Sequence, residues 1–236
     1  MSDQPTVVLT GASAGIGLAA LESLHEEAFV IAVSRTQPPL GHWIQGDLAA
    51  PDTIAAGIRA LLAARGRALD GLIHCAVSYG APRRHTLLET TDSEWDELMA
   101  VNVRSQFVLT VRLLPLLLER PKAFIVALTS DAATQPAAQR IAYGCSKSAS
   151  YALFVGLSQE LADSSVSVIQ MLPANQVATR GLRRRRPPDF AFAGYSSPEI
   201  FKAHFKSILS CRGAGLNGAC LTVSENNSSW KGVRSW

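Results

Sequence analysis

Short runs rich in β-branched residues alternate along this chain with longer stretches whose apolar positions return every three or four residues. The runs Thr6–Thr10, Phe29–Ser34, Trp43–Gly46, Gly71–Ala76, Ala123–Thr129, Ser167–Leu172 and Ala219–Ser224 read as strands. The helical period fits Gly15–Glu26, Thr53–Arg65, Ser93–Leu118, Ala142–Asp163 and Glu199–Leu209. Strands separated by helices predict repeated βαβ units. The expected fold is therefore α/β, a single Rossmann-type doubly wound parallel sheet of about seven strands with helices on both faces. No linker, composition shift or repeat divides residues 1–236, which read as one domain.

Composition narrows this picture without changing it. With 236 residues and 47% apolar content, the chain can bury one sizeable core. A net charge of +3 implies no particular partner. Met1 to Pro5 lead straight into an apolar run, without the basic-then-apolar pattern of a secretion signal. No stretch reaches the ~20 uninterrupted apolar residues of a membrane span, so the expectation is a cytoplasmic protein without a membrane partner. Cys75, Cys145, Cys211 and Cys220 have neither CxxC pairing nor histidines at metal spacing, and read as reduced thiols with no metal site.

Candidate chemistry begins after the first strand. Thr10-Gly11-Ala12-Ser13-Ala14-Gly15-Ile16-Gly17 joins an apolar strand to an amphipathic helix. Residues without side chains there let the backbone approach a pyrophosphate at the helix N-terminus. The second strand ends in Ser34-Arg35-Thr36, where an NAD-binding protein would carry an acid. A guanidinium at Arg35 attracts a ribose 2′-phosphate, Ser34 and Thr36 can donate to it, and NADP(H) is preferred. Asp47 and Leu48, after the third strand, fall where an adenine ring would pack.

Tyr143-Gly144-Cys145-Ser146-Lys147 carries the second signal. Residues four apart share a helix face, so the Lys147 ammonium can stand beside the Tyr143 phenol and favour its ionised form. Such a pair suits a general acid/base near neutral pH.

Together these motifs resemble the short-chain dehydrogenase/reductase family, from Thr6 to about Ser224. The family's TGxxxGxG turn matches Thr10 to Gly17, and its Asn-Ser-Tyr-Lys tetrad matches Asn102, Ser130, Tyr143 and Lys147. Ser130 precedes Tyr143 by the thirteen residues usual in the family. The Ala-Val-Ser-Arg-Thr run is similar to the NADPH-binding strand end of carbonyl and xylulose reductases. The resemblance implies an NADPH-dependent oxidoreductase reducing a ketone or aldehyde, with Tyr143 giving the proton, Ser130 holding the oxygen, Lys147 also holding the nicotinamide ribose, and Asn102 relaying protons through a water. It also implies cofactor contacts at Cys75 and Ala76 after strand four, and at Pro173, Val177 and Thr179 after strand six. Alternatives are NADP-dependent alcohol oxidation and a cofactor-binding sensor with little turnover; a nucleic-acid binder would need a broader basic face.

Two segments depart from the family pattern. His74-Cys75-Ala76-Val77 stands where Asn-Asn-Ala-Gly is usual, which predicts weaker cofactor binding or a different loop path; His74 itself reads as a core or rim histidine. Pro173 to Thr179 has Ala174 for a glycine and one extra residue before the threonine. Residues 176–198 correspond to the family's substrate lid. Here they hold five arginines from Arg180 to Arg186, then Phe190, Phe192 and Tyr195. The arginines either meet an anionic substrate or form a solvated loop, which composition favours, and the aromatics are expected to close over an apolar substrate. Gln135, Gln139 and Asn175 are candidates to orient polar substrate groups. Relatives pair the equivalents of the two long helices, implying a homodimer or homotetramer, and the tail at 226–236, with Trp230 and Trp236, could cross such a boundary.

Overall fold

The computed structural model describes residues 4–225; the tail at 226–236 lies outside them. Strands β1 (Thr6–Thr10), β2 (Phe29–Ser34), β3 (His42–Gln45), β4 (Gly71–His74), β5 (Ala123–Leu128), β6 (Val166–Pro173) and β7 (Cys220–Val223) form one sheet in the order β3-β2-β1-β4-β5-β6-β7. Every neighbouring pair is parallel. The order reverses between β1 and β4, which opens a crevice at their carboxyl ends.

The helices are α1 (Gly15–Leu24), α2 (Pro51–Arg65), α3 (Asp92–Met99), α4 (Ser105–Leu118), α5 (Ile141–Glu160), α6 (Arg180–Arg183) and α7 (Lys202–Cys211). Because both faces of a parallel sheet are covered, its central strands are largely apolar, whereas the edge strand β3, His-Trp-Ile-Gln, is exposed at both ends. One core sets Leu21 and Leu24 of α1 and Phe205 and Ile208 of α7 against Leu9, Val126 and Ile169. The other sets Ile58 of α2, Leu113 of α4 and Phe154 of α5 against Val8, Leu72 and Ile125. Fully burying one such side chain is worth ~1.5–3 kcal/mol.

The predicted helix Ser93–Leu118 is broken by a π-helical turn at Ala100–Arg104. The wider turn carries Asn102, which is fully buried, and such turns often mark functional positions. Taken together, Asp92–Leu118 has the length and apolarity of a membrane span, which the sequence reading does not credit. In the fold, Leu109, Leu113 and Leu117 of this stretch are buried in the core, while Phe107, Val111 and Leu118 remain exposed.

His74 is a core histidine, as its sequence context suggests. It is 1% exposed, lies 3.1 Å from Thr110 Oγ1 through Nε2 and packs beside Phe154. Burial lowers its pKa to about 3, so it is neutral. All four cysteines are free thiols.

Candidate active site

The glycine-rich turn follows β1 and opens α1. Gly11 has φ +74°, and a Cβ there would lie 2.7 Å from the Ala76 backbone; a Cβ on Gly17 would lie 2.2 Å from the Gly11 carbonyl oxygen. The turn thus closes upon itself and upon the loop after β4, so that loop is held despite its unusual sequence. Cys75 packs behind Gly17, and burial pushes its thiol pKa well up. Across the turn, a Cβ on Gly15 would meet the Thr179 methyl at 3.0 Å, so the extra residue after β6 does not carry Thr179 away from the cofactor side. Thr179 also caps α6, accepting from the Leu182 amide.

Bare backbone at a helix N-terminus fits a dinucleotide pyrophosphate; Thr179 presents its methyl, not its hydroxyl, to that turn. Arg35 is exposed just beyond β2. Ser34 corrects an expectation: its hydroxyl donates to the Thr36 carbonyl at 2.7 Å, so its proton is spent inside the turn rather than offered to a phosphate. Leu48 is buried, while exposed Asp47 accepts from the Ala49 amide. Pro173 ends β6, and Val177 forms an isolated bridge with Ser196.

Ser130 leaves β5 and Tyr143 lies in the first turn of α5, which brings the Ser130 side chain close enough to act on the Tyr143 phenol. The Ser130 hydroxyl donates to an Asp131 carboxylate oxygen at 2.7 Å. Tyr143 is 7% exposed. Burial raises its pKa, with the Tyr79 phenol adding to the rise and Arg140 and the Ser130 side chain opposing it.

Lys147 is buried one turn along the same face, and its ammonium donates to the Leu128 carbonyl at 2.7 Å. Burial lowers its pKa to about 8. The cation set against the Tyr143 ring is instead Arg140, 4.4 Å above it. Helical spacing does align Tyr143 and Lys147, but the long lysine chain extends to the end of β5, and its charge is satisfied there.

Asn102 clamps the loop after β4. Its Oδ1 accepts from the Ser78 amide at 2.8 Å, and its Nδ2 donates to the Ser78 carbonyl at 2.8 Å and to Ser146 Oγ at 3.0 Å. Both amide protons are thereby committed, and the loop is tied to α5.

The loop delivers a residue that sequence reasoning missed. Tyr79 stacks on Tyr143 with ring centroids 5.6 Å apart; burial raises the pKa of its phenol, and the Thr179 side chain opposes that rise. Its one sequence signal is an aromatic beside Gly80 immediately after the unusual strand-four turn. The lid corrects two further expectations. Arg185 donates to the carbonyls of Gly80 and Ala81, so the arginine run is not simply solvated. Phe190, Phe192 and Tyr195 pack edge-on against one another, with Arg183 over Phe192 and Arg186 over Phe190, and none lines the cleft beside Tyr143. Their rings satisfy each other and the guanidiniums rather than closing over a substrate. Of the three polar candidates, Gln139 lines that cleft, with φ at +61°, whereas Gln135 and Asn175 do not.

Comparison with known proteins agrees with this geometry. The family model described as short chain dehydrogenase matches residues 5–188. The short chain dehydrogenase andC of Emericella variicolor is 32% identical over 148 residues, covering 58% of this chain and 57% of that protein. An uncharacterized oxidoreductase, YvrD of Bacillus subtilis, is 27% identical over 213 residues, or 85% and 79% of the two chains. The match thus spans less than two thirds of the fungal relative. Among solved structures, a putative short chain dehydrogenase from Pseudomonas syringae superposes with a TM-score of 0.79 at 27% identity, covering 92% and 94% of the two chains. A short chain dehydrogenase from Burkholderia cenocepacia in complex with NADP has the same fold, with a TM-score of 0.80 at 24% identity over 93% and 96%.

Proposed function

Because this chain belongs to the short-chain dehydrogenase family, we propose that it is an NADP(H)-dependent oxidoreductase that reduces a ketone or aldehyde to an alcohol. The observation that carries this reading is the convergence of Ser130 at the end of β5 with buried Tyr143 in the first turn of α5, in the same fold as a glycine turn whose backbone is bare.

Bound at the Gly11–Gly17 turn, NADPH supplies the hydride. Arg35 beside a ribose 2′-phosphate supports preference for NADPH over NADH. The protein's part is to hold the carbonyl and place a proton. Charge develops on the carbonyl oxygen; Tyr143 offers its hydroxyl where it forms, and Ser130 does so once its proton turns from Asp131 to the substrate. A phenol whose pKa is raised keeps its proton until that charge appears, which favours reduction over alcohol oxidation. Lys147, one turn further, is the group to hold the nicotinamide ribose. Asn102 acts first by fixing the loop that carries Tyr79, and a relay through its carbonyl oxygen uses the acceptor capacity left to it.

A second copy of this chain is the expected macromolecular partner. Phe107, Val111 and Leu118 leave an apolar outer stripe on α4. Light scattering of the wild type should give a dimer or tetramer, and Phe107→Glu should shift it towards monomer. A monomeric wild type would end this reading.

Fluorescence titration with NADPH and NADH, followed by turnover of a ketone panel with Tyr143→Phe as control, tests the activity. Tight NADPH binding and turnover lost in the variant are expected. Binding without turnover of any ketone would move the chain to a sensor role, and binding of neither nucleotide would defeat the proposal.

A further inference from the structure

The cleft beside Tyr143 is lined by five arginines from three separate stretches of chain: Arg83 and Arg84, Arg140, and Arg185 and Arg186. Its carboxylate is Glu94, whose oxygens already meet His85 at 2.8 Å and the Ala81 amide at 2.8 Å. Among the described residues, none of the five arginines pairs with a carboxylate. Elsewhere arginines do: Arg120 and Arg212 share Asp70, and Arg112 reaches Asp52. Like charges gathered without counter-ions raise the free energy of an empty cleft, and an anion entering it relieves that repulsion.

The individual side chains divide this role. Arg185 straps the lid to the Gly80 and Ala81 carbonyls and forms a wall. Arg186 Nε is buried without a hydrogen-bond partner, a donor whose satisfaction is missing in the protein alone. Arg140 stands over the Tyr143 ring, 4.4 Å from its centroid. Arg83 and Arg84 are exposed at the rim. The glycine turn and Arg35 do not line this cleft, so the charge lies apart from the cofactor phosphates.

We infer that the substrate carries an anionic group, carboxylate or phosphate, close to the carbonyl that is reduced, and that Arg140 and Arg186 hold it while Arg83 and Arg84 draw it in. The identification of the anion as part of a substrate rests on the proposed reductase activity. A guanidinium binds either oxyanion through paired N–H donors, so the shared chemistry is an oxyanion on a short ketone.

The test uses matched probes on the full chain: acetoacetate against methyl acetoacetate, and dihydroxyacetone phosphate against dihydroxyacetone. Calorimetric titration reads binding, and NADPH oxidation reads turnover. In at least one pair the anionic member should bind about tenfold or more tightly, a difference of ~1.4 kcal/mol or more. Arg186→Gln and the charge reversal Arg84→Glu should shrink that ratio, with the loss in turnover falling mainly on KM. Arg84 is exposed, so its variant reports even where Arg186→Gln disturbs the lid. Equal binding within both pairs overturns the inference and leaves the reductase reading standing if NADPH is oxidised. Charge-selective binding with no turnover of any probe supports the anion site and counts against the reductase. Variants that weaken NADPH as much as the anion assign these arginines to the cofactor and also overturn the inference.

Discussion

Tyr79 lies against Tyr143 with an interplanar angle of 22° and ring centroids 5.6 Å apart. One aromatic ring therefore touches the candidate proton donor, and Arg185 lies over the same ring at 5.5 Å from its centroid. Removing the ring in Tyr79→Ala forfeits a stacking contact of about 0.5–1.5 kcal/mol, so kcat/KM should fall roughly two- to tenfold. The Tyr143 pKa should also move down, because the ring's burial and its phenol both raise it. Tyr79→Phe keeps the stack and should recover most of the rate. A pH profile of both variants checks this; identical profiles would show that the ring only fills space.

Lys147 gives the activity an alkaline limit. With its pKa lowered by burial to about 8, its charge is lost as pH rises through that value, and kcat/KM should decline above it. Stability should move the other way. Between about 8 and the unfolded value of 10.5 the unfolded chain holds more protons, so unfolding becomes less favourable as pH rises through this window. Rate and melting-temperature profiles over the same buffers should diverge; a joint fall would mean the ammonium is not the group being lost.

His74 sets an acid limit on the fold. Its folded pKa of about 3 lies below the ordinary 6.5, so its contribution is complete above pH 6.5 and is lost as pH falls towards 3. Wild type should lose stability from pH 6.5 downwards, before most carboxylates titrate below about pH 5. His74→Gln should show a flatter profile there in chemical denaturation, at some cost in packing. Parallel profiles would remove His74 as the cause.

The glycine turn after β1 is steric before it is chemical. Gly17→Ala places a Cβ 2.2 Å from the Gly11 carbonyl oxygen and 2.8 Å from its carbon, both backbone atoms that cannot rotate away. Overpacking of this kind costs about 1–3 kcal/mol, and the displaced turn should weaken NADPH at least about tenfold. Thermal melts and the fluorescence titration should show both losses; unchanged NADPH affinity would mean that the pyrophosphate lies elsewhere.

Much of this protein was legible in its sequence because the relevant physics is local. Alternating apolar runs specify strands and helices, and β1 and β2 begin and end where the sequence predicts. Glycines at Gly11, Gly15 and Gly17 mark a turn that only bare backbone can make, and the spacing of Tyr143 and Lys147 is a property of one helix. Tertiary structure decided what depends on distant segments meeting. It sent the Lys147 charge to the Leu128 carbonyl and set Arg140 over Tyr143. It spent Asn102 on the loop after β4 and thereby brought Tyr79 to the site. It also gathered arginines from residues 83–84, 140 and 185–186 around one cleft. Sequence periodicity records which face a residue shares with its neighbours along one element; the partners of a long polar side chain depend on where several elements end relative to one another, and only the packed sheet fixes that.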